Sequence, residues 1–228
     1  MSTIADNIGR VSQRIRAAAL AVQRDENSIH LLAVSKTKPA QAVREAYAAG
    51  MHDFGENYLQ EALGKQAELT DLPLSWHFIG PIQSNKTRAI AENFAWVHSV
   101  DRLKIAQRLS EQRPADLPPL NICIQVNVSG EASKSGCTPA DLPALAHAIS
   151  ALPRLKLRGL MAIPEPTEDR TEQDAAFATV RELQARLNLP LDTLSMGMSH
   201  DLESAIAQGA TWVRIGTALF GARDYGQP

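Results

Sequence analysis

Short apolar runs alternate with amphipathic helical patterns along the whole chain. Eight of these runs are typical of strands: Leu31–Val34, His52–Phe54, Trp76–Ile79, Trp96–Val100, Ile122–Val128, Leu157–Ile163, Thr193–Met196 and Thr211–Ile215. The intervening segments have helical spacing: Ala40–Ala49, Leu59–Leu69, Lys86–Asn93, Arg102–Glu111, Leu142–Leu152, Gln173–Leu187 and Leu202–Gln208. Such alternation predicts parallel strands joined by crossover helices. Eight strands favour an α/β fold that is a single (β/α)8 (TIM-type) barrel, and an open doubly wound sheet is the alternative.

The N-terminal segment precedes the first predicted strand and has a pattern of its own. Its apolar residues recur at helical spacing and share one face: Ile4, Ile8, Val11, Ile15, Ala19 and Val22. We therefore expect residues 1–24 to form an extra amphipathic helix that packs on the barrel. No shift in composition marks a domain boundary, so residues 1–228 are predicted to form one domain.

The barrel topology predicts where the ends of distant segments meet. Strands one, seven and eight are neighbours in a closed barrel, and ligands bind at the C-terminal ends of the strands. Lys36 follows strand one, Ser199 follows strand seven, and Gly216 and Thr217 follow strand eight. Phosphate often binds the loops after strands seven and eight of such barrels. These residues are therefore expected to lie at one mouth of the barrel.

Lys36 is the candidate reactive residue, since it ends the apolar run His30–Lys36. A lysine that loses hydration at the end of a buried strand has a lowered amine pKa, and a neutral amine can form a Schiff base with an aldehyde. The alternatives are an ordinary solvent-exposed lysine at this position and a reactive Lys38. A Schiff-base lysine beside a phosphate site suggests pyridoxal 5'-phosphate (PLP), although a class I aldolase has both features without PLP.

Four further residues are candidates for the same site, and each also has a structural explanation. The helical pattern at Leu202 extends back to Ser199, which can either cap that helix or help to bind phosphate through its hydroxyl group. Strand alternation places Arg214 opposite Val213 and Ile215, so it can face a ligand's ring nitrogen or phosphate, or form a structural salt bridge. Asn57 can line the mouth or cap a helix, and Met161 can contact a ring or pack in the core.

Composition limits the classes of partner and cofactor. The 228 residues have a formal net charge of −2, which gives no electrostatic case for nucleic acid or anionic membrane. No apolar stretch approaches the roughly 18 residues that a membrane span needs. The two cysteines do not resemble a disulfide framework or a metal cluster, so we predict no metal and a reducing cytoplasm.

Several of these segments together resemble the pyridoxal phosphate homeostasis protein family, the YggS/PROSC group. The matching stretches are Ala33–Pro39, Phe54–Tyr58, His77–Lys86, Val126–Glu131, Gly159–Met161, Met196–Ser199 and Val213–Thr217. The resemblance implies a barrel similar to the barrel domain of alanine racemases, with Lys36 holding PLP as an internal aldimine. It also implies that Ser199, Gly216 and Thr217 hold the phosphate and that Arg214 lies beside the pyridine nitrogen or the phosphate.

The resemblance and the residues favour a carrier, buffer or regulator of PLP over an enzyme. In an alanine racemase the second catalytic tyrosine would come from a further β-rich domain, which we do not find before Pro228. An arginine at the pyridine nitrogen would leave that nitrogen unprotonated and the ring a weak electron sink. The alternative is a weak amino-acid racemase or another PLP-dependent enzyme. Apo-enzymes that use PLP are the expected recipients, and a monomer is the expected state.

Overall fold

The predicted barrel is confirmed. The computed structural model describes residues 2–132 and 134–222, and its eight parallel strands close in sequence order. The strands are β1 His30–Val34, β2 Asp53–Glu56, β3 Ser75–Phe78, β4 Trp96–Val100, β5 Leu120–Gln125, β6 Leu155–Met161, β7 Thr193–Ser195 and β8 Trp212–Ile215. β1 pairs with β8, with Leu31 opposite Val213 and Ala33 opposite Ile215, and this pairing closes the barrel.

The helices follow the predicted order with small shifts at their ends. They are α1 Ile4–Ala21, α2 Ala40–Ala48, α3 Leu59–Glu68, α4 Thr87–Asn93, α5 Leu103–Gln112, α6 Leu142–Ser150, α7 Arg170–Ala185, α8 Leu202–Ala207 and α9 Thr217–Phe220. Two short 3₁₀ helices cover Glu26–Ser28 and Ser84–Lys86. The sequence pattern did not predict α9, because four residues are too few to show a helical period.

The helix after β7 does not begin at Ser199, as the sequence suggested, but at Leu202. The carboxylate of Asp201 accepts a hydrogen bond from the main-chain N–H of Met198 at 2.6 Å. This contact holds residues 198–201 in a turn, so Asp201 occupies the N-cap position. Ser199 is therefore left in the turn and is not the cap of this helix.

The N-terminal helix α1 buries its predicted apolar face, with Ile8, Val11, Ile15 and Ala19 against the barrel helices. A capping box between Thr3 and Asp6 begins the helix. The single domain predicted over residues 1–228 stays a prediction, because Met1, Ser133 and residues 223–228 lie outside the described residues.

Polar groups tie α1 to the C-terminal part of the barrel. Asn7 donates to the carbonyl oxygen of Leu219 at 2.8 Å, and Arg24 donates to that of Ile206 at 2.7 Å. Arg14 forms an ion pair with Glu203 of α8 at 2.8 Å. The first helix of the chain thus supports the segment that contains β7, β8 and the short helices after them.

The hydrophobic core has two parts. The larger lies between the strands and the surrounding helices, and the smaller fills the barrel interior with Leu32, Val34, Ile79, Trp96, Cys123, Met161 and Trp212. The interior is therefore packed with side chains, as in other barrels of eight parallel strands, and leaves ligand space only at its mouth. Within the described part of the chain, every helix is too short or too polar to cross a membrane.

Candidate functional site at the barrel mouth

A cavity of about 220 Å³ opens at the C-terminal ends of the strands. It is smaller than the roughly 300–1,000 Å³ sites that take drug-sized ligands, so it suits one small molecule. Six of the seven residues predicted from sequence line it: Lys36, Asn57, Ser199, Arg214, Gly216 and Thr217. The topology thus brings residues from both ends of the chain to one mouth.

The turn that carries Lys36 follows β1 directly and is held in an unusual conformation. Lys36 is half-buried, and the next residue, Thr37, has a φ of 64°, which is uncommon for a β-branched residue. The main-chain N–H of Thr37 donates to Oε1 of Glu61 at 2.6 Å, which stabilises this conformation. Glu61 belongs to α3, so a neighbouring helix fixes the geometry of the turn.

A buried lysine of α3, Lys65, supports the same turn. Its ammonium group contacts the carbonyl oxygen of Ser35 at 2.6 Å and carboxylate oxygens of Glu56 and Glu61 at 2.7 Å each. The Ser35 hydroxyl group also donates to Glu56 at 2.6 Å. Burial raises the pKa of the Glu56 carboxyl, and the Lys65 ammonium opposes that rise.

Sequence reasoning missed this support. The available signal was the Glu61–Lys65 pair, four residues apart on a predicted helix, which is easily taken for an ordinary surface pair. What distinguishes it is burial, since the Lys65 side chain is only 6% exposed. The three acceptors match the three N–H donors of an ammonium group.

The turn that carries Ser199 is built around Gly197. This glycine has a φ of 101°, and a Cβ atom there would lie 2.6 Å from the Cβ of Ala205. Glycine is therefore required by both conformation and space. The carbonyl oxygen of Gly197 accepts from the main-chain N–H of Arg214 at 2.9 Å, which links this turn to β8. Arg14 of α1 donates to the carbonyl oxygen of Ser199 at 2.9 Å.

The lining of the cavity favours an anion. Its charged and titratable side chains are Lys36, Lys38, Arg214 and His200, and none of the described lining residues is a carboxylate. Asp201 lies nearby, but its carboxylate accepts from the Met198 N–H and lies 3.4 Å from His200, and these contacts offset its negative charge. Ser199 and Thr217 add two hydroxyl groups to the lining.

Arg214 lies on the inner face of β8, as alternation predicted, and is 5% exposed. Its guanidinium donates to Oγ of Ser195 at 2.9 Å and to the carbonyl oxygen of Ala162 at 3.1 Å. No carboxylate of the described residues lies within 4.0 Å, so the alternative of a salt bridge is not supported there. Burial lowers the pKa of Arg214 to about 10, which leaves it protonated at neutral pH.

Asn57 follows β2 and is one of the residues that line the cavity. Its Oδ1 is buried and has no hydrogen-bond partner among the described residues. Gly80 packs directly on the Asn57 main chain, because a Cβ atom at position 80 would lie 2.8 Å from the Asn57 Cα. Gly80 therefore fixes the position of Asn57, a contact that the sequence did not indicate.

The seventh candidate from the sequence, Met161, lies elsewhere. It is fully buried among the apolar residues of the barrel interior and is not part of the cavity lining. A role for Met161 in cofactor binding stays a prediction, and its observed contacts are those of a core residue.

Known proteins share both the sequence and the architecture. Residues 3–224 match the family described as alanine racemase, N-terminal domain. The chain is 78% identical to the pyridoxal phosphate homeostasis protein of Pseudomonas aeruginosa over 228 residues, which cover 100% of this chain and 99% of the relative. The chain belongs to the pyridoxal phosphate homeostasis protein family. The Escherichia coli member of this family is 53% identical, over 99% of each chain.

A solved structure extends the family comparison. PipY of Synechococcus elongatus with PLP bound superposes with a TM-score of 0.83 and is 45% identical. The match covers 96% of this chain and 100% of PipY. The family resemblance seen in the sequence is therefore confirmed, together with the barrel fold that it implied.

Proposed function

We propose that this protein binds PLP at the barrel mouth and serves in PLP homeostasis as a carrier or buffer of the cofactor. One observation carries the proposal: six of the seven residues singled out by the sequence line one small cavity of cationic character. The names of the relatives from Pseudomonas aeruginosa and Escherichia coli and the PLP in PipY support the same ligand.

The side of the cavity after β7 and β8 fits a phosphate group. Ser199 and Thr217 supply hydroxyl donors, and Gly216 between β8 and α9 keeps the backbone accessible. The cationic lining adds attraction for a dianion. We assign the phosphate to these residues, with the supports from α1 and Gly197 holding their turn in place.

Arg214 and Asn57 fit the ring of the cofactor. Arg214 has only N–H donors, so it can pair with an unprotonated pyridine nitrogen but not with a protonated one. The buried side-chain oxygen of Asn57 has no hydrogen-bond partner in the described part of the chain, so it can accept from a hydroxyl group on a ligand. These two contacts would orient the ring so that its aldehyde faces Lys36.

Lys36 is the residue that we assign to covalent attachment. PLP supplies an aldehyde when it is bound. The neutral amine of Lys36 adds to the aldehyde carbon, a C=N bond forms, and the carbonyl oxygen leaves as water. The reaction is reversible, so the protein can release the intact cofactor, as a carrier requires.

Borohydride trapping tests the attachment. Purified protein with excess PLP should show a visible absorption band, and reduction should leave a stable adduct that peptide mass spectrometry locates at Lys36. Lys36→Ala should lose this adduct, while Lys38→Ala, which removes the rival amine, should keep it. A protein that stays colourless, or an adduct spread over surface lysines, would contradict the proposal.

Two incubations separate a carrier from a racemase. Transfer is expected when the loaded protein is mixed with an apo-enzyme that uses PLP, with recovered enzyme activity as the readout. Chiral analysis of L-alanine after long incubation should show no D-alanine. Accumulation of D-alanine that depends on Lys36 would favour the racemase alternative.

The proposal also includes a monomeric state and a cytoplasmic location. Sedimentation analysis tests the oligomeric state.

A further inference from the structure

A continuous line of hydrogen-bonded side chains crosses the barrel interior from its N-terminal face to the cavity. Its members, which we call the relay, are Asp53, His77, His98, Ser195 and Arg214. The successive distances are 3.0 Å, 2.8 Å, 2.7 Å and 2.9 Å. Asp53 begins β2 and is 34% exposed, whereas the two histidines and Ser195 are fully buried.

An ionised Asp53 and two neutral rings allow only one direction for the hydrogen bonds of the relay. Asp53 is an acceptor when ionised, so Nε2 of His77 carries a hydrogen and Nδ1 of a neutral His77 is bare. Nε2 of His98 then donates to that Nδ1, and the bare Nδ1 of a neutral His98 accepts from the Ser195 hydroxyl. Arg214, which can only donate, is compatible with this assignment, because the Ser195 oxygen can accept from it.

The surroundings of the relay keep both histidines neutral. The His77 ring stacks on Trp96 with centroids 5.4 Å apart and contacts Trp212 at 4.8 Å, so apolar rings replace water around it. Burial lowers the pKa of His77 despite the opposing effect of Asp53, and burial lowers that of His98 still further. Burial acts to raise the pKa of Asp53, but hydrogen bonds from His77 and Ser75 oppose this effect, and the pKa is lowered overall, so the carboxyl stays ionised.

We propose that the relay is a positioning device for Arg214, which holds the guanidinium in one orientation towards the cavity. A carboxylate on the opposite face of the barrel thereby acts on the PLP site without touching the ligand. Arg214 uses one N–H on Ser195 and one on the carbonyl of Ala162, and its side chain lines the cavity. The identity of the ligand in this inference rests on the proposed function, whereas the arrangement of the relay is independent of that function.

The first test uses the protein without ligand. Nitrogen-15 NMR of histidine side chains should show His77 and His98 as neutral rings with hydrogen on Nε2. In Asp53→Ala the two rings should populate both tautomers, and the side-chain Nε–H signal of Arg214, assigned by its loss in Arg214→Lys, should shift. Cationic rings, hydrogen on Nδ1, or an unchanged Arg214 signal would overturn the relay, whether or not the protein binds PLP.

The second test measures PLP itself. Asp53→Ala should raise the Kd for PLP by about 2- to 30-fold, the range of remote positional couplings, and should shift the visible band. Asp53→Asn, whose amide oxygen can still accept from His77, should restore most of the affinity. Asp71→Ala is the matched control, because Asp71 lies in the loop before β3, outside the relay, and pairs with Arg44. A Kd and a spectrum unchanged in Asp53→Ala would overturn the positioning role, and wild-type protein without affinity for PLP would refute the proposed function instead.

Discussion

Nζ of Lys65 lies 2.6 Å from the carbonyl oxygen of Ser35, the residue directly before Lys36. A second lysine thus fixes the backbone that carries the candidate reactive one. The same ammonium group pairs with both Glu56 and Glu61, whose carboxylates accept hydrogen bonds from the Ser35 hydroxyl and the Thr37 N–H, respectively. Lys65 therefore stabilises the fold and sets the direction of Lys36.

Lys65→Met removes the charge but keeps most of the side-chain volume. Two carboxylates and a carbonyl lose their partner in a buried place, so the free energy of unfolding should fall by about 3–5 kcal/mol. Urea denaturation measures it. Lys104→Met, an exposed lysine on α5, should change stability by less than about 0.5 kcal/mol. An equal loss in both variants would contradict the role of Lys65.

Gly80→Ala tests the contact that positions Asn57. The added Cβ would overlap the Asn57 main chain, so the loop after β2 must move, at a cost of about 1–3 kcal/mol. PLP affinity should fall with it. Gly64→Ala is the matched control, because nothing lies within 4 Å of that exposed position in α3. It should raise the free energy of unfolding by about 0.5–1 kcal/mol and leave PLP binding unchanged.

Ser199→Ala and Thr217→Val test the phosphate assignment by comparing two ligands. A hydrogen bond to a charged group contributes about 1.5–3 kcal/mol, so each change should weaken PLP binding roughly 10- to 150-fold. Affinity for pyridoxal, which lacks the phosphate, should stay the same. Calorimetric titration with both ligands gives the ratio. Thr179→Val, at an exposed position of α7, serves as the control. Equal losses of affinity for PLP and for pyridoxal would contradict the assignment of the phosphate to Ser199 and Thr217.

The ion pair between Arg14 and Glu203 predicts a dependence of stability on pH. Burial alone would raise the pKa of Glu203, but the hydrogen bond and charge of Arg14 outweigh it and lower the pKa below its ordinary value. The folded state therefore binds the proton less readily than the unfolded state. The contribution is present above the unfolded pKa of about 4.3 and is lost as the pH falls through the lower folded value.

Arg14→Met should abolish most of that dependence. Since both side chains are more than a third exposed, the pair contributes only about 0.2–1 kcal/mol. Denaturation at pH 6 and at pH 3 measures the difference, and an NMR titration should show the Glu203 pKa rising in the variant. A Glu203 pKa that does not change would contradict the assigned cause. PLP affinity should also decrease, because Arg14 holds the carbonyl of Ser199.

The sequence predicted the barrel and most of the cavity because both follow from periodicity and strand order. The eight apolar runs identify the strands, and their order brings Lys36, Ser199 and Thr217 together without knowledge of any contact. The start of α8 was harder to predict, because it depends on a local hydrogen bond. The Asp201 carboxylate accepts from the Met198 N–H, and this moves the start of α8 beyond Ser199.

Side-chain pairing across the barrel could not be predicted from one sequence. His77 and His98 lie 21 positions apart on neighbouring strands, and only the register of β3 and β4 brings their rings into contact. His98 and Ser195 each lie within an ordinary strand pattern, so the sequence gives no sign that their side chains form a hydrogen bond. Asp53, at the start of its strand, is indistinguishable from a solvent-exposed residue until the tilt of β2 is known.

Asn7 and Arg14 of α1, and Arg24 just after this helix, donate hydrogen bonds to Leu219, Ser199 and Ile206, near the end of the described chain. During translation, α1 leaves the ribosome long before the C-terminal elements that it contacts have been synthesised. Its apolar face is therefore not buried until then. The cavity at the barrel mouth is consequently among the last parts to be completed. If the proposed function holds, a nascent chain cannot sequester cofactor until nearly all of it has been synthesised.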